Sequence, residues 1–370
     1  MATFVKATVP AEARTLAGRF YTSAEIFAHE RERIFARHWI CVGREEHVPE
    51  AGSYFLAEIG GESVIIVRDK DGEIRAHYNV CRHRGARVCE EQSGRLKGAL
   101  VCPYHAWTYR LDGSLMAARN MREVPGFQES DYPLRGAAIT RWEGFIFVNL
   151  AEQPEPFGRA LAPLMGHFRK WTMGALREAR AIEYDLACNW KLIFQNYSEC
   201  YHCPRVHPQL DAVSPWDSGR NDLIEGPVLG GFMRLRNPGG SMTMSGQTTR
   251  SPLPGLEPDD RDRVYYYTVF PSMLLSLHPD YAMAHFVTPV TIDRTLVRCV
   301  WLFEPAEMAR PGFDPSDALE FWDMTNRQDW HICELTQRGV TSRAYTPGPY
   351  AHAEGILHAF DRNYAQIMGA

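Results

Sequence analysis

The chain has 370 residues, of which 45% are hydrophobic and 23% are charged, proportions typical of a soluble globular protein with enough material for more than one domain. A formal net charge of −5 argues against nucleic acid or an anionic membrane as the main partner. No apolar run approaches the roughly 18 residues that a membrane-spanning helix needs. Because the N-terminus also lacks the apolar core of a signal peptide, we expect a cytoplasmic protein.

The chain contains nine cysteines, an odd number, and shows no export signal. Disulfides are therefore not expected, and metal ligation together with ordinary buried thiols accounts better for the cysteine content. Cys200 and Cys203 form a CxxC pair, a pattern that also occurs in redox-active proteins. We favour a non-redox interpretation of this pair, because residues with a stronger claim to metal ligation share the segment.

The first predicted element is a helix near the N-terminus. Thr22 and Glu25 have the spacing of a capping box, in which a hydroxyl and a carboxylate satisfy free N–H groups at a helix start. Apolar residues follow at helical spacing as far as Trp39. We expect residues 1–40 to form a helical segment that packs on the C-terminal domain described below.

Residues 41–153 have the pattern of a small antiparallel β-domain. Short runs rich in β-branched and aromatic residues, such as Val64–Val67 and Phe145–Val148, have the length of strands. The dipeptides that separate such runs are typical of hairpins, because their residues tolerate positive φ angles: Gly60-Gly61, Asp71-Gly72 and Asp112-Gly113. Pro154-Glu155-Pro156 then marks the predicted domain boundary.

Two short loops of this domain each carry one cysteine and one histidine. Cys81 and His83 lie in the first loop, and Cys102 and His105 lie in the second. Zinc fingers usually place two cysteines in one loop and two histidines in another, so a structural zinc is the weaker alternative. The mixed arrangement suits a [2Fe–2S] cluster in which two thiolates hold one iron and two imidazoles hold the other, as in Rieske centres. Cys89 is interpreted as a buried apolar residue, since four ligands are complete without it.

Residues 154–370 mix helices with strands. Apolar residues at helical spacing predict helices over Asn189–His202, Ser316–Gly339 and Ala353–Met368. Strands are predicted at Val264–Phe270, Met273–His278, Ala284–Val290 and Thr295–Phe303. The segment 232–262 is rich in Pro and Gly turns and is interpreted as a long loop, which raises the question whether it forms a mobile lid over a pocket.

A second group of ligand-type residues lies at the end of the first of these helices. Glu199 and His202 are three residues apart, so a continuous helix would place both on one face. His202 and His207 are five apart, which a straight helix would splay by about 140°. We expect a break at Pro204 to let the two imidazoles converge. The alternative for this group is a solvated polar helix face.

The long helix near the C-terminus carries one carboxylate within an apolar stripe. Asp329 lies seven residues after Trp322 and four before Cys333, both of which belong to the stripe. A buried carboxylate is costly unless it is paired or bound to a metal. Two histidines and one carboxylate are the facial triad of non-haem iron(II) oxygenases. A buried ion pair with Arg327 or Arg338 is the alternative.

Together these motifs resemble those of the α-subunits of Rieske non-haem iron oxygenases, over essentially the whole chain. Besides the two cysteine–histidine loops, the matching residues are Asn189-Trp190-Lys191, Asn196, Glu199, Tyr201-His202, His207-Pro208, Gln328-Asp329, Glu334 and Gln337-Arg338-Gly339. The resemblance implies an α+β fold, with a small antiparallel β Rieske domain at 41–153. It also implies a larger catalytic domain at 154–370, whose antiparallel sheet is covered by helices in a START-like, helix-grip arrangement.

The resemblance further implies two metal centres. The residues that match the cluster ligands of the family are Cys81, His83, Cys102 and His105, and they would hold a [2Fe–2S] cluster. The residues that match the ligands of the catalytic mononuclear Fe(II) are His202, His207 and Asp329.

The resemblance assigns Glu199 a role between these centres. In the family, the matching carboxylate hydrogen bonds a cluster histidine of the neighbouring subunit, here His105, and an iron ligand of its own subunit, here His202. It thereby implies a homotrimer with intersubunit electron transfer. A ferredoxin or a flavin reductase would supply the electrons, and O2 and a small organic substrate would react at the iron.

One departure from the better-known members bears on the substrate. Ring-dihydroxylating members carry Asp at the bridge, whereas Glu199, Glu354 and His358 make this chain similar to the α-only subgroup that monooxygenates or oxidatively demethylates choline, carnitine and betaines. Aromatic residues suited to a quaternary ammonium group occur in the second domain, although most are expected in the strand core: Trp216, Tyr265, Tyr266, Tyr267, Phe270, Tyr281 and Phe286. The alternatives are an aromatic-ring cis-dihydroxylating dioxygenase, a Rieske electron carrier and a zinc-stabilised binding protein.

Overall fold

The computed structural model of the chain describes residues 4–369, which fall into two compact units. One unit comprises Phe35–Glu155, and the other comprises the N-terminal segment as far as Ile34 together with the chain from Pro156 onward. Within residues 4–369, no helix combines the length and the apolar character that crossing a bilayer requires.

The N-terminal segment belongs to the second unit and is tied to it by a buried ion pair. Its helices α1 and α2 and a π-helical turn cover Arg19–Thr22, Ala24–Glu30 and Arg31–Phe35. Oε1 of Glu30 lies 2.5 Å from Nζ of Lys191, and both side chains are fully buried. Oε2 of Glu30 accepts a hydrogen bond of 2.9 Å from Nε1 of Trp190. These contacts offset the cost of removing the two charges from water.

The N-cap of α2 is Ser23, one residue after the predicted Thr22. Oγ of Ser23 accepts a hydrogen bond of 3.3 Å from the amide of Ile26, and the Ser23 backbone is extended, as an N-cap requires. Thr22 still has helical geometry as the last residue of α1, and its hydroxyl donates to the Gly18 carbonyl. The predicted cap was therefore wrong by one position.

The unit of residues 35–155 is built from short antiparallel strands. They are β1 (Ile40–Arg44), β2 (Ser53–Ile59), β3 (Glu62–Arg68), β4 (Ile74–Tyr78), β5 (Ser93–Arg95), β6 (Leu100–Val101), β7 (Thr108–Tyr109), β8 (Leu115–Ala117), β9 (Ala138–Trp142) and β10 (Phe145–Asn149). The sheets have the orders β1-β10-β9, β4-β3-β2-β5 and β6-β7-β8. Single 3₁₀ turns occur at Glu45–His47 and Glu129–Asp131.

The predicted hairpins are confirmed. Gly60-Gly61 connects the paired strands β2 and β3, Asp71-Gly72 connects β3 and β4, and Asp112-Gly113 connects β7 and β8. Gly113 has φ +91°, and a Cβ there would lie 2.6 Å from the ring of His77, so only glycine fits. Cys89 is 5% exposed within the apolar core of this unit, as its interpretation as a buried thiol requires.

The second unit is built on one antiparallel sheet. Its strands are β11 (Arg177–Leu186), β12 (Arg220–Leu223), β13 (Val228–Arg234), β14 (Arg263–Val269), β15 (Met273–Leu277), β16 (Ala282–Thr291) and β17 (Arg294–Phe303). Within the described residues they pair in the order β11-β17-β16-β15-β14-β13-β12. The predicted strands correspond to β14–β17, whereas β11, β12 and β13 were not predicted. The predicted α+β class with antiparallel sheets is confirmed.

Helices cover this sheet. They are α3 (Phe157–Ala160), α4 (Trp190–Tyr197), α5 (Cys203–Val206), α6 (Pro208–Val213), α7 (Pro305–Met308), α8 (Ser316–Val340) and α9 (Gly355–Met368). The 3₁₀ turns of this unit are Ala162–Leu164, Arg169–Trp171, Trp216–Ser218, Pro258–Asp262 and His352–Glu354. Helix α4 contacts α8, α9 and β16, so it packs between the other helices and the sheet.

The helix predicted over Asn189–His202 is shorter than expected. Asn189 is its N-cap and accepts a hydrogen bond from the amide of Lys191, but the helix ends at Tyr197. Pro204 does not end a helix; it lies in the first turn of α5, where a missing N–H costs no hydrogen bond. The chain turns between the two helices, before the proline and not at it.

Candidate active site

The two cysteine–histidine loops of the first unit have the same backbone geometry. In each loop the amide of the cysteine, Cys81 or Cys102, donates to the carbonyl five residues later at 2.8 Å. The residue four positions after each cysteine has a positive φ, +76° at Gly85 and +56° at Ala106, and its amide donates back to the cysteine carbonyl. The matched turns allow both loops to present a sulfur and an imidazole in similar ways.

The structure brings the four predicted cluster ligands together. The ring centroids of His83 and His105 are 4.7 Å apart. Cys81 and Cys102 are within hydrogen-bonding reach of each other, and both are almost fully buried. The hydroxyl of Tyr109 lies 3.2 Å from Sγ of Cys81, so a thiolate there would accept a hydrogen bond from it.

The chemistry of these four donors fits a [2Fe–2S] cluster. Nδ1 of His83 is buried and has no hydrogen-bond partner among residues 4–369. Burial, His105 and Arg84 all lower the pKa of His83, so its ring is neutral, as a metal ligand must be. Burial raises the pKa of Cys102, so its thiolate needs a nearby cation. Two imidazoles and two cysteine sulfurs brought together in this way are the Rieske donor set.

In the second unit, three side chains from distant parts of the chain meet. His202 and His207 lie at the two ends of α5, and Asp329 projects from α8. Oδ1 of Asp329 lies 2.7 Å from Nε2 of His207 and 3.3 Å from Nε2 of His202. All three donor atoms lie within 4.8 Å of one another. Arg327, which was considered as an ion-pair partner for Asp329, instead pairs with Asp323 at 2.9 Å.

The outer nitrogens of both rings face hydrogen-bond acceptors. Nδ1 of His202 lies 2.5 Å from Oε1 of Glu199, and Nδ1 of His207 lies 2.7 Å from Oε1 of Gln328. Because these oxygens only accept, each Nδ1 carries the proton and each Nε2 presents a lone pair. The Nε2 lone pairs of His202 and His207 and a carboxylate oxygen of Asp329 therefore point to one position. A cation at that position would bind all three donor atoms. The donor set fits a divalent metal whose outer partners fix the imidazole tautomers.

Without a metal, protons would occupy this position. Burial lowers the pKa of His202, but its hydrogen bonds to Asp329 and Glu199 outweigh burial and raise the pKa to about 10. Burial raises the pKa of Asp329, yet the contacts with the two histidines hold it well below its usual range. Protons and a metal ion therefore compete for the same donor atoms.

Glu199 reaches His202 across a turn and not along one helical face, as the sequence had suggested. Helix α4 ends at Tyr197, and the Glu199 carboxylate also accepts hydrogen bonds from the amides of Tyr201 and His202. The expected pairing of Glu199 with His202 is therefore present, but the local structure that produces it was wrong. A carboxylate that caps its own turn holds the ring of His202 in place.

The same turn contains a disulfide between Cys200 and Cys203. The expectation that the chain has no disulfide was therefore wrong for this pair. The tight turn brings the two Cα atoms within 5.0 Å, a separation that suits the bond. Among residues 4–369, the remaining cysteines form no disulfide, and all of them are buried.

A cavity of about 470 Å³ opens beside His202, His207 and Asp329, all of which line it. Part of its wall is aromatic and consists of Tyr197, Tyr201, Trp216, Phe232, Tyr266 and Trp322. Among the lining residues of the described chain, Lys6 is the one lysine or arginine, whereas carboxylates come from Glu199, Asp217 and Asp329. The side chains that line the cavity therefore include more carboxylates than lysines or arginines.

Only some of the aromatic residues considered for the substrate from the sequence line the cavity. Trp216 and Tyr266 line it. The others are buried in the core of the unit and do not line it: Tyr265, Tyr267, Phe270, Tyr281 and Phe286. Trp322 and Gln328 were not assigned to the site. Their spacing contained a signal, since Trp322 lies seven residues before Asp329 on the same face of α8 and Gln328 is its neighbour.

The proline- and glycine-rich segment 232–262 is not a lid over this cavity. Its first residues complete β13, and among the described residues none from 234 to 262 lines the cavity. The loop is anchored by a buried carboxylate: Asp280 accepts hydrogen bonds from Ser241, Thr248 and Arg250 at 2.5–2.9 Å. A loop held by such a network is fixed to the core of the unit.

Comparisons with known proteins agree with these two sites. Residues 38–128 match the family described as Rieske [2Fe-2S] domain, and residues 173–370 match the ring hydroxylating alpha subunit (catalytic domain). The chain is 33% identical over 368 residues to the glycine betaine monooxygenase oxygenase subunit of Chromohalobacter salexigens. The alignment covers 90% of this chain and 80% of that protein.

Two further similarities are of the same kind. The carnitine monooxygenase oxygenase subunit of Acinetobacter baumannii is 31% identical over 338 residues, covering 88% of this chain and 85% of that protein. The crystal structure of the quaternary ammonium Rieske monooxygenase CntA with L-carnitine superimposes with a TM-score of 0.79, at 27% identity and over 96% of both chains. The protein therefore belongs to the ring-hydroxylating α-subunit family of Rieske non-haem iron oxygenases, as a terminal oxygenase component that uses O2 and electrons from a partner.

Proposed function

We propose that this protein monooxygenates or oxidatively demethylates a small quaternary ammonium compound. The observation that carries this proposal is the cavity beside the three metal-ligand side chains: about 470 Å³ and walled in part by aromatic rings. Aromatic faces attract quaternary ammonium ions through the negative face of the ring. A cavity of this volume takes a molecule the size of choline, glycine betaine or carnitine.

The aromatic side chains are positioned to enclose a cation. The ring centroids of Tyr197 and Tyr266 are 6.1 Å apart at an interplanar angle of 80°, and those of Tyr266 and Trp322 are 6.2 Å apart at 69°. Rings that meet nearly at right angles form a corner that can present more than one face to a rounded trimethylammonium group. The relatives named for glycine betaine and carnitine support the same substrate class.

The chain's own residues would prepare the reaction in the following way. Glu199 and Gln328 keep a proton on Nδ1 of each histidine, so both Nε2 atoms stay available as ligands. His202, His207 and Asp329 would hold the mononuclear iron, and the loops around Cys81 and Cys102 would hold the cluster. When bound, the cluster supplies single electrons and the iron supplies the position at which O2 and the substrate meet. The aromatic wall of the cavity would exclude water and orient the ammonium group of the substrate.

We further propose a homotrimeric assembly with electron transfer between subunits. In it, Glu199 accepts a hydrogen bond from His105 of the partner subunit while holding its own His202. Both Glu199 and His105 are partly exposed in the single chain, so each retains surface for such a contact. A ferredoxin or a flavin reductase in the cytoplasm would deliver the electrons.

The test begins with iron and acid-labile sulfide analysis and continues with substrate-dependent O2 consumption, using a surrogate reductase. Glycine betaine, carnitine and choline are compared with benzoate and with 3,3-dimethylbutan-1-ol, the uncharged analogue of choline. We expect O2 uptake with one of the ammonium compounds and none with the uncharged analogue, because the aromatic wall recognises the charge. Uptake with benzoate alone would instead establish the aromatic dioxygenase alternative, and a cluster without mononuclear iron would establish the electron carrier.

A further inference from the structure

The CxxC pair next to the proposed iron ligands has no part in the function described above. Cys200 and Cys203 enclose Tyr201 and His202 in one turn, and both cysteines line the cavity. Cys203 is 3% exposed, and its Sγ lies 4.0 Å from Nε2 of His202. Since Nδ1 of His202 is held by Glu199, this Nε2 is the atom that faces the metal position.

A sulfur at this place has different chemistry in its two oxidation states. In a disulfide it carries no charge and is a poor ligand, so the triad keeps the open positions that an iron oxygenase needs. As a thiolate it is a strong ligand for zinc. Two imidazoles, one carboxylate and one thiolate are four donors, which is the number that closes a tetrahedral zinc site.

We propose that Cys200 and Cys203 form a reversible redox pair that controls a fourth donor position at the metal site. In the disulfide form the site offers only His202, His207 and Asp329. In the dithiol form the Cys203 thiolate joins them, and the site then prefers zinc to iron(II). This inference rests on the proposed iron site, to which it adds a redox control of metal identity.

The chemistry is a two-electron thiol–disulfide exchange. A dithiol reductant attacks the Cys200–Cys203 bond, leaves two protein thiols and is itself oxidised to a cyclic disulfide. Zinc binding then releases the proton of the Cys203 thiol to solvent. Hydrogen peroxide reverses the reduction: the two thiols form the disulfide again and the peroxide becomes two water molecules. The Cα separation of 5.0 Å suits the bond, so re-oxidation does not require the turn to unfold.

The test compares zinc coordination in the full-length protein with its cluster in place and its mononuclear iron removed. Zinc is added to the oxidised and to the reduced wild type, and to two serine variants. Cys200→Ser keeps the Cys203 thiol free under all conditions, whereas Cys203→Ser removes it. X-ray absorption at the zinc edge detects a sulfur ligand at about 2.3 Å without interference from the cluster iron. Competition between zinc and iron(II) gives the change in metal preference.

We expect one sulfur per zinc in the reduced wild type and in Cys200→Ser, with a preference for zinc raised about 10- to 100-fold. Oxidised wild type and Cys203→Ser should show nitrogen and oxygen ligands alone. A reduced wild type and a Cys200→Ser variant that bind zinc without sulfur would overturn the proposal. If the pair acts only by stiffening the turn, both serine variants will behave alike, which also overturns it.

The proposed iron site fails in a different way. The iron site is tested by metal content, measured in the oxidised wild type and in His207→Ala. If neither iron(II) nor zinc is bound in the wild type beyond what His207→Ala also binds, the triad holds no metal. That result overturns the iron site and, with it, the redox control. Metal bound at the triad without any sulfur ligand in the reduced protein leaves the iron site standing and removes the redox control alone.

Discussion

At the scale of single residues, the position of two protons decides what the site can do. Glu199 and Gln328 hold a proton on the outer nitrogen of each histidine and thereby turn both Nε2 lone pairs toward Oδ1 of Asp329. Both partners act on the metal position through a histidine and are not metal ligands themselves. Their substitution therefore separates orientation and electron transfer from ligation itself.

Glu199→Gln tests the role of the carboxylate charge. The amide oxygen of Gln can still accept the proton on Nδ1 of His202, so we expect both metal centres to stay filled. Turnover should fall about 10- to 100-fold, because an uncharged amide is a weaker partner than a carboxylate for the metal-bound ring of His202. Single-turnover kinetics after chemical reduction of the cluster, together with iron and sulfide content, measure both effects. Glu225→Gln, an exposed carboxylate, is the matched control, and wild-type single-turnover rates in Glu199→Gln would refute the bridge role.

Gln328→Leu tests the partner of the other histidine. Without the acceptor at 2.7 Å, the tautomer and the ring orientation of His207 are no longer fixed. We expect the affinity for iron(II) to fall about 10- to 100-fold, with the cluster unchanged. Equilibrium dialysis of the iron-depleted protein gives the affinity. Arg327→Gln changes an exposed neighbour on α8 and should leave the affinity for iron(II) as in the wild type. Equal affinities for the wild type and both variants would contradict the role of Gln328 as the partner that orients His207.

At the scale of elements, two helices bring the site together. Helix α8 extends over Ser316–Val340 and contacts both α4 and β11, so it carries Asp329 past the end of α4. Helix α4 is fixed at its start by Asn189, whose side chain accepts from the Lys191 amide and donates to the Ile292 carbonyl at 2.7 Å. The turn that holds Glu199 and His202 thus begins from an anchored helix.

Asn189→Ala removes this anchor. It deletes the N-cap of α4 and removes the side-chain donor to the partly buried Ile292 carbonyl. We expect a loss of roughly 1–2 kcal/mol in the free energy of unfolding, from the cap and the second hydrogen bond together. Chemical denaturation monitored by circular dichroism gives the value. Gln366→Ala, at an exposed position of α9, provides the control; a stability of Asn189→Ala equal to that of this control would show that the cap does not anchor the helix.

At the scale of the whole molecule, the two units carry different metal sites. In the proposed intersubunit pathway, the cluster of one subunit works with the iron of another, so a single chain would not be active by itself. The N-terminal segment belongs to the iron-binding unit, although it precedes the cluster unit in the chain. The buried pair of Glu30 with Lys191 keeps it there. The cluster unit, Phe35–Glu155, is therefore inserted in the chain between two parts of the other unit.

Mixed oligomers test the intersubunit pathway. Cys81→Ser subunits lack the cluster and His207→Ala subunits lack the iron, so each alone should be inactive. In randomly mixed trimers at a 1:1 ratio, about one quarter of neighbouring pairs combine an intact cluster with an intact iron site in the right order. We expect about that share of wild-type activity after co-expression with two affinity tags. Inactive mixed trimers would show that electrons pass within one subunit.

The pH dependence of stability gives a further test, through His285. Burial lowers the pKa of His285 to about 4, despite its hydrogen bond to Asn326. In the unfolded chain a histidine titrates near 6.5, so below that pH the unfolded state binds a proton that the folded state excludes. The stabilising contribution is therefore complete above about pH 6.5 and decreases as the pH falls toward 4. From this residue we expect about 2 kcal/mol less stability at pH 5 than at pH 7.

The measurement compares denaturation at pH 7 and pH 5. His285→Asn lacks the titrating ring, so its stability should change less between the two values than that of the wild type. His352→Asn alters an exposed histidine and should retain the wild-type dependence. An equal pH dependence of wild type and His285→Asn would show that His285 is protonated as readily in the folded state as in the unfolded one.

Several features follow from the sequence alone because they depend on neighbours in the chain. The hairpins at Asp71-Gly72 and Asp112-Gly113 are set by residues that tolerate positive φ, and the length of α8 is set by a continuous helical period. The paired Cys and His of each loop, two or three residues apart, likewise need no long-range contact to be recognised. Such local patterns identified the β-domain, the cluster loops and the unusual position of Asp329.

Other features were decided only in the tertiary structure. The end of α4 at Tyr197, the turn that lets Glu199 reach His202, and the disulfide within that turn depend on how α4 packs between α8, α9 and the sheet. The meeting of His207 with Asp329, 122 positions later in the chain, and the enclosure of the cavity depend on strand order. Local sequence specifies which donors exist; the free energy of burying distant surfaces against one another specifies which of them meet.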